Sequence, residues 1–170
     1  MRKVLSPNEI IVLKNGDSAR RIKIGQMIGD GATCIAYEAE RITETGAMLR
    51  CRVKECYPFG AHIVREGVLL CWEDEDEKVA AFKRMKDAHE LLTQLRNDET
   101  VGNSITSAEL FEGNGTIYSV MELNHASTYE SDKSTSLPEI LDTMRVLTEV
   151  VGKSIAKDIC IWILNRAISL

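Results

Sequence analysis

The sequence is poor in aromatic residues and in proline: phenylalanine, tyrosine and tryptophan together make up 5% of it, and there are 3 prolines. Positive charge is not in excess either, since 21 Lys and Arg face 26 Asp and Glu for a formal net charge of -5. That balance argues against a non-specific nucleic-acid binder, which needs a basic face to displace counterions. No apolar run reaches the roughly 18 residues of a membrane-spanning helix, and no secretory apolar region follows Met1. The five cysteines (Cys34, Cys51, Cys56, Cys71, Cys160) include no CxxC pair, and His62, His89 and His125 stand alone. A structural zinc site is therefore not expected. What is present, 44% hydrophobic and 28% charged residues, supports a buried core and excludes wholesale disorder. The expectation is a soluble, cytoplasmic protein with reduced thiols, no nucleic-acid partner and no membrane partner, its 170 residues fitting one domain.

The first half reads as short strands. Ile10–Leu13 is rich in β formers and runs into the turn signal Asn15-Gly16. In 21–28 (RIKIGQMI), Ile22 and Ile24 alternate with charged Arg21 and Lys23. Glycines follow at 29 and 31, then a strand is expected at Cys34–Glu40, a turn at Thr45-Gly46 and a strand at Met48–Cys56. From Asp74 to Arg96 the apolar period changes to three and four, with Val79, Phe82, Met85, His89 and Leu92 along one stripe. The acidic entry Asp74-Glu75-Asp76-Glu77 suits the positive end of a helix dipole. Ile105–Phe111 and Thr116–Leu123 then read as two strands joined through Glu112-Gly113-Asn114-Gly115. Ser127–Ser136 is polar and linker-like. Pro138 opens a second helix, lined by Ile140, Leu141, Met144, Leu147 and Val151, with Gly152 expected at its end.

Two local features carry chemistry. Gly29-Asp30-Gly31 lies between strands, where glycines let the backbone approach a phosphate closely; a tight hairpin with no ligand selects the same residues. No helix opens there, which disfavours a dinucleotide-binding fingerprint. Lys54 sits mid-strand beside Val53, so the two face opposite sides of the sheet. Strand lysines commonly point to solvent, and Lys54 gains meaning from the glycine loop one hairpin earlier and the acid-bearing helix after it.

Taken in order, three runs resemble eukaryotic-type Ser/Thr protein kinases. Residues 28–39 (IGDGATCIAYEA) resemble the glycine-rich loop and the strand after it, Arg52-Val53-Lys54 the strand bearing the V-A-I-K lysine, and 114–123 (NGTIYSVMEL) the strand leading into the hinge. The resemblance covers about Arg21 to Val151. It implies an α+β fold: a kinase-like N-lobe at 21–124 made of a five-stranded antiparallel sheet and one helix, preceded by an N-terminal extension at 1–20. A hinge or linker at 125–137, the first C-lobe helix at 138–152 and an irregular or helical apolar tail at 153–170 would follow. ATP, with Mg, is the implied ligand. Gly29 and Gly31 would cover its phosphates, Ala36 would touch the adenine, and Lys54 would bind the α- and β-phosphates. Met121 falls at the gatekeeper position, while the backbones of Glu122 and Asn124 would meet the adenine edge. Glu90 is the expected ion-pair partner of Lys54, with Asp87 second.

The sequence also departs from the family. Cys34 replaces the third glycine of G-x-G-x-x-G, and Cys51 and Cys56 read as small packed hydrophobes. Nothing in 153–170 resembles the catalytic loop or D-F-G, so the aspartate base and the magnesium ligands of phosphoryl transfer have no counterpart. No catalytic residue and no protein-held metal is expected. The tail is densely apolar without a clear period. With one A restored after codon 153, one synonymous coding of 153–168 reads KIHSKGYLYLDLKPSN, resembling the end of the kinase helix and D-L-K-P-x-N. In that frame Trp162 followed by any codon for Ile163 yields an aspartate. The expectation is an out-of-frame tail behind a truncated kinase that retains ATP binding, has no turnover, and self-associates through exposed apolar surface. Two alternatives stand beside it: a non-enzymatic interaction module that docks on a partner protein, and complementation by a separately encoded C-lobe.

Overall fold

The computed structural model describes residues 2–97, 107–123 and 136–156. The chain forms two compact units, one holding residues 2–89 and 107–123 and the other 90–97 and 136–156 of the described positions.

In the first unit β1 (Ile10–Asn15), β2 (Ser18–Asp30), β3 (Cys34–Ile42) and β4 (Met48–Cys56) pair in succession, and β8 (Thr116–Glu122) and β7 (Ala108–Gly113) complete the order β1-β2-β3-β4-β8-β7. All these pairings are antiparallel, and β7 meets β1 where Glu112 lies opposite Lys14. The sheet is a closed six-stranded barrel. This corrects the expected kinase-like N-lobe with an open five-stranded sheet. The strand at Ile10–Leu13 was legible, but a four-residue alternation does not say what it pairs with. Ile11 and Leu13 are buried while Ile10 and Val12 are exposed, so β1 has an apolar face that must be covered, and pairing with both β2 and β7 covers it.

Curvature comes from β2. Its pairing with β3 shifts register twice, between Ile24 and Met27 and between Met27 and Gly29, and such bulges bend and twist a strand. At Gly25 a side chain would press on the Glu38 carbonyl, 2.9 Å from a Cβ built there; the missing side chain lets β2 fold in towards β3.

Alternation sends Ile22, Ile24, Ile35, Tyr37, Val53, Phe111, Tyr118 and Val120 inward. One end of this interior is closed by ions: Arg20 meets Glu109 at 2.8 Å and Glu122 at 3.3 Å, and Arg41 meets Glu122 at 2.8 Å. The Arg20 guanidinium also lies 4.9 Å from the centre of the Phe111 ring, joining the charged end to the apolar interior.

A hairpin of β5 (Ile63–Glu66) and β6 (Leu69–Trp72) was not expected from the sequence. It docks on the β7–β8 turn. Leu70 N–H donates to the Asn114 carbonyl at 2.9 Å, and the Trp72 indole donates to the Gly115 carbonyl at 2.9 Å. Asn114 and Gly115 both have positive φ, 49° and 73°, the primed turn favoured between two strands.

The helix α1 (Glu75–Arg96) starts one residue after the expected position because Asp74 is its N-cap. The Asp74 carboxylate accepts from Asp76 N–H at 2.8 Å and Glu77 N–H at 3.2 Å, satisfying amides that lack helical partners. In the first unit Ala81, Phe82 and Met85 cover Cys56, Ile117 and Leu110 on the outside of the barrel, beside Trp72. Val79, expected on that stripe, is exposed; Ala81 takes the contact.

In the second unit α2 (Leu137–Ala156) passes through Gly152, where the sequence reading ended it. One interior glycine costs a helix only about 1 kcal/mol. Leu137, Leu141 and Met144 are exposed, and Arg145 pairs with Asp142 at 2.9 Å and Glu149 at 3.0 Å. Of the linker expected at 125–137, positions 125–135 lie outside the described residues, as does the tail beyond Ala156. No described helix is long and apolar enough to cross a membrane.

Candidate phosphate-binding face and the buried Glu55 network

Cross-strand register puts Gly29 opposite Ala36, Ala36 opposite Lys54, and Lys54 opposite Ser119. Directly opposed residues share a face, and Lys54 lies between the inward-facing Val53 and Glu55. Gly29, Ala36 and Lys54 therefore form one row on the outer face, with Gly29 and Lys54 two strand spacings, about 10 Å, apart. Gly29 has no positive φ, and a Cβ there would make only ordinary contact with Ala36, 3.6 Å away. Neither backbone conformation nor packing requires glycine at 29. Lys54 is half-buried and makes no hydrogen bond or ion pair with the described residues.

Arg52 is the next outward position on β4 and lies opposite Met121, so at the expected gatekeeper level the face presents a guanidinium. Glu122 lies opposite Cys51, and Leu123 N–H donates to the Arg50 carbonyl at 3.1 Å. That pattern marks Cys51–Glu122 as a non-hydrogen-bonded pair, which turns the Glu122 amide and carbonyl away from β4. The Glu122 side chain belongs to the ionic end of the barrel. Asn124 lies outside the described residues, and Glu90 belongs to the second unit.

Gly31 is buried and fully engaged: its N–H donates to the Cys34 carbonyl at 2.9 Å, and its carbonyl accepts from Arg2 at 2.5 Å. Arg2 also pairs with Asp30 and donates to the Tyr57 carbonyl. Ala32 and Thr33 carbonyls accept from Phe59 and Tyr57 amides at 2.8 and 3.1 Å. The glycine turn is thus held from both sides, by a residue near the N-terminus and by the segment after β4. The barrel unit has a cleft of about 280 Å³ beside Gly25, Glu38 and Arg50 and another of about 570 Å³ beside Gly16, Lys86 and Glu112. Neither is lined by the outer-face row, or shelf, of Gly29, Ala36 and Lys54.

Inside the barrel the sequence reading missed the most highly connected polar group. Glu55 and Arg65 are ion-paired with both side chains wholly buried. Glu55 also accepts from the Tyr118 hydroxyl at 2.9 Å and the Tyr37 hydroxyl at 3.1 Å. Tyr37 oxygen in turn accepts from Leu5 N–H at 3.1 Å, and Tyr118 oxygen from Asn114 at 3.3 Å. Arg65 reaches on to the Lys3 and Val68 carbonyls at 2.6 and 3.4 Å. Burial pushes the Glu55 carboxyl up from the ordinary glutamate value, opposed by Arg65 and the two tyrosine hydroxyls. Burial and the Glu55 charge push both phenols up as well. The network ties the N-terminal segment, β3, β4, the β5–β6 hairpin and β8 to one carboxylate. Alternation from Cys51 through Val53 placed Glu55 inward and was the available signal; Arg65 lay in the unrecognised hairpin.

The Cys34 thiol is lowered to about 7, chiefly by a hydrogen bond from Cys56, with Thr33, Lys54 and Arg2 adding to the effect against burial. Burial pushes Cys51 up to about 11. Among the described residues no group of three acids, histidines or cysteines is placed to hold a metal ion. The chain matches no protein-family model and no curated protein.

Proposed function

We propose that the barrel unit is an ATP-binding module related to the Ser/Thr protein kinases, in which Lys54 receives the triphosphate on the shelf beside Gly29 and Ala36. The observation that carries this is Lys54, a half-buried residue with no hydrogen bond or ion pair among the described residues and next to two positions that offer almost no side chain. Phosphate oxygens would give its charge a direct hydrogen-bonded partner. Arg52, beside Lys54, adds a second cation on the same face. The shelf therefore favours the polyphosphate over the base. Phosphoryl transfer from ATP to a protein hydroxyl, the activity of the kinases that the sequence resembles, needs an aspartate base and magnesium ligands besides a nucleotide site; the role proposed for the barrel unit is nucleotide binding. Magnesium would arrive with the nucleotide.

The test is a thermal-shift and calorimetric titration of the whole chain with Mg-ATP, Mg-AMP and inorganic triphosphate. ATP and triphosphate should raise the melting temperature and AMP should not. Lys54→Met should remove the shift while leaving the far-UV spectrum unchanged. Equal shifts with wild type and Lys54→Met, or none at millimolar ligand, refute the proposal. A second reading, a protein-docking module, is favoured by the exposed Leu137, Leu141 and Met144 of α2; it predicts that Lys54→Met leaves partner affinity intact.

A further inference from the structure

Cys34, near the start of β3, lies directly opposite Cys56 at the end of β4. The Tyr57 amide donates to the Thr33 carbonyl at 3.1 Å. This bond joins the residue after Cys56 to the residue before Cys34, so the two cysteines form a non-hydrogen-bonded antiparallel pair. In such pairs the Cα atoms approach to about 4.5 Å and the side chains are at their closest. A disulfide needs Cα atoms about 4.4–6.8 Å apart, so a bond can form without moving either strand. Both thiols lie on the outer face, two residues from Ala36 and Lys54 respectively. Their exposure differs: Cys34 is half-buried and Cys56 is 2% exposed.

We propose that Cys34 and Cys56 form a peroxide-responsive dithiol, with Cys34 as the attacking sulfur and Cys56 as the resolving one. Of the two residues the less buried, Cys34, is the one placed to meet the oxidant, with Cys56 opposite it. Cys34, lowered to about 7, is substantially thiolate near neutral pH, the form that attacks. The hydrogen bond to Cys34, together with burial, pushes Cys56 up, keeping it as the thiol that donates to its neighbour. In the first step the Cys34 thiolate attacks hydrogen peroxide: an S–O bond forms, the O–O bond breaks, and hydroxide leaves and takes a proton from solvent. In the second step the Cys34 charge that held the proton on Cys56 is gone, and Cys56 gives up that proton as its sulfur attacks the Cys34 sulfenic acid. The S–S bond forms, the S–O bond breaks, and the Cys56 proton leaves with the hydroxyl as water. Two thiols and one peroxide give one disulfide and two waters, and a thiol reductant reverses the change. This inference does not depend on ATP binding.

The experiment treats the whole reduced chain with hydrogen peroxide, quenches with an alkylating reagent and maps peptides without reduction. A 34–56 linked peptide should appear first, with loss of two thiols and recovery on adding dithiothreitol. In Cys56→Ser the reaction should stop at a sulfenic acid on Cys34 that dimedone traps, and Cys34→Ser should protect Cys56. Competitive alkylation of the unmodified wild-type chain at neutral pH keeps the test independent of how the variants fold: Cys34 should react fastest of the five cysteines. Slower labelling of Cys34 than of Cys71 or Cys160, or oxidation that yields no 34–56 link, overturns the proposal.

Discussion

Replacing Glu55 with glutamine removes one charge from the interior of the barrel and almost nothing of its shape. Arg65 cannot give up its proton, and its side chain is wholly buried, so Glu55→Gln leaves an uncompensated guanidinium. Breaking a buried pair this way costs about 3–5 kcal/mol. For a chain of this size that corresponds to a fall in melting temperature of about 6–20 °C at about 2–4 °C per kcal/mol. Arg65→Met leaves the opposite remainder, and here pH matters. The Glu55 carboxyl is already raised by burial; without Arg65 the largest opposing pull is gone, only the two tyrosine hydroxyls still oppose it, and it rises further. A carboxyl raised in the folded state favours folding below its unfolded pKa and loses that contribution as pH rises through the folded value. Arg65→Met should therefore be less destabilised near pH 5 than near pH 8, whereas Glu55→Gln, with no titrating group left at the pair, should show no such relief. Urea unfolding at both pH values for wild type, both single variants and the double variant measures this directly. The double variant should lose less than the sum of the singles, by about 0.5–3 kcal/mol for residues in contact. A Glu55→Gln cost below about 1 kcal/mol, or equal Arg65→Met deficits at both pH values, refutes the electrostatic account of the network.

Gly115→Ala should destabilise strongly, because its φ is +73° and an added Cβ would collide with the Leu70 carbonyl of the docked hairpin; the left-handed conformation alone costs about 1–2 kcal/mol. Gly29→Ala has no such conflict, so urea unfolding should find it within about 0.5 kcal/mol of wild type, while an ATP titration of the same variant should show weaker binding. Asp74→Ala removes the N-cap of α1 and should cost about 1 kcal/mol, measured by chemical denaturation, with fraying at Glu75–Glu77 visible by hydrogen exchange.

Most strands of the barrel were legible because a single solvated face imposes a period of two. Ile22, Ile24, Tyr37 and Val53 announced their elements, and Met48–Cys56 agrees with the observed strand at both ends. Closure of the sheet was not legible. Whether β1 flanks β2 alone or also reaches β7 depends on the bend of β2 at Gly25 and its bulges, which a local pattern does not encode. The β5–β6 hairpin escaped because four-residue strands carry too few positions for alternation, and its turn depends on one glycine with positive φ, Gly67. At the outer face, cross-strand register, which no local pattern encodes, places Gly29, Ala36 and Lys54 in one row. The hold of Arg2 on the glycine turn could not be read from sequence, since its contacts with Asp30 and Gly31 span 28 and 29 residues. Cys34 and Cys56 looked like isolated small residues until register set them side by side.

The barrel's staves are laced along their length except at one joint, where Lys14 meets Glu112 and Gly113 must stay bare so that the Val12 carbonyl can come within reach. A wall shut by so short a stitch has its fewest paired residues there. A parting at that joint would uncover the row bearing Ile11 and Leu13 and turn the cylinder into a ribbon with two free borders. Lys86 of α1, which grips Glu112 from outside at 3.3 Å, is the clasp over that joint.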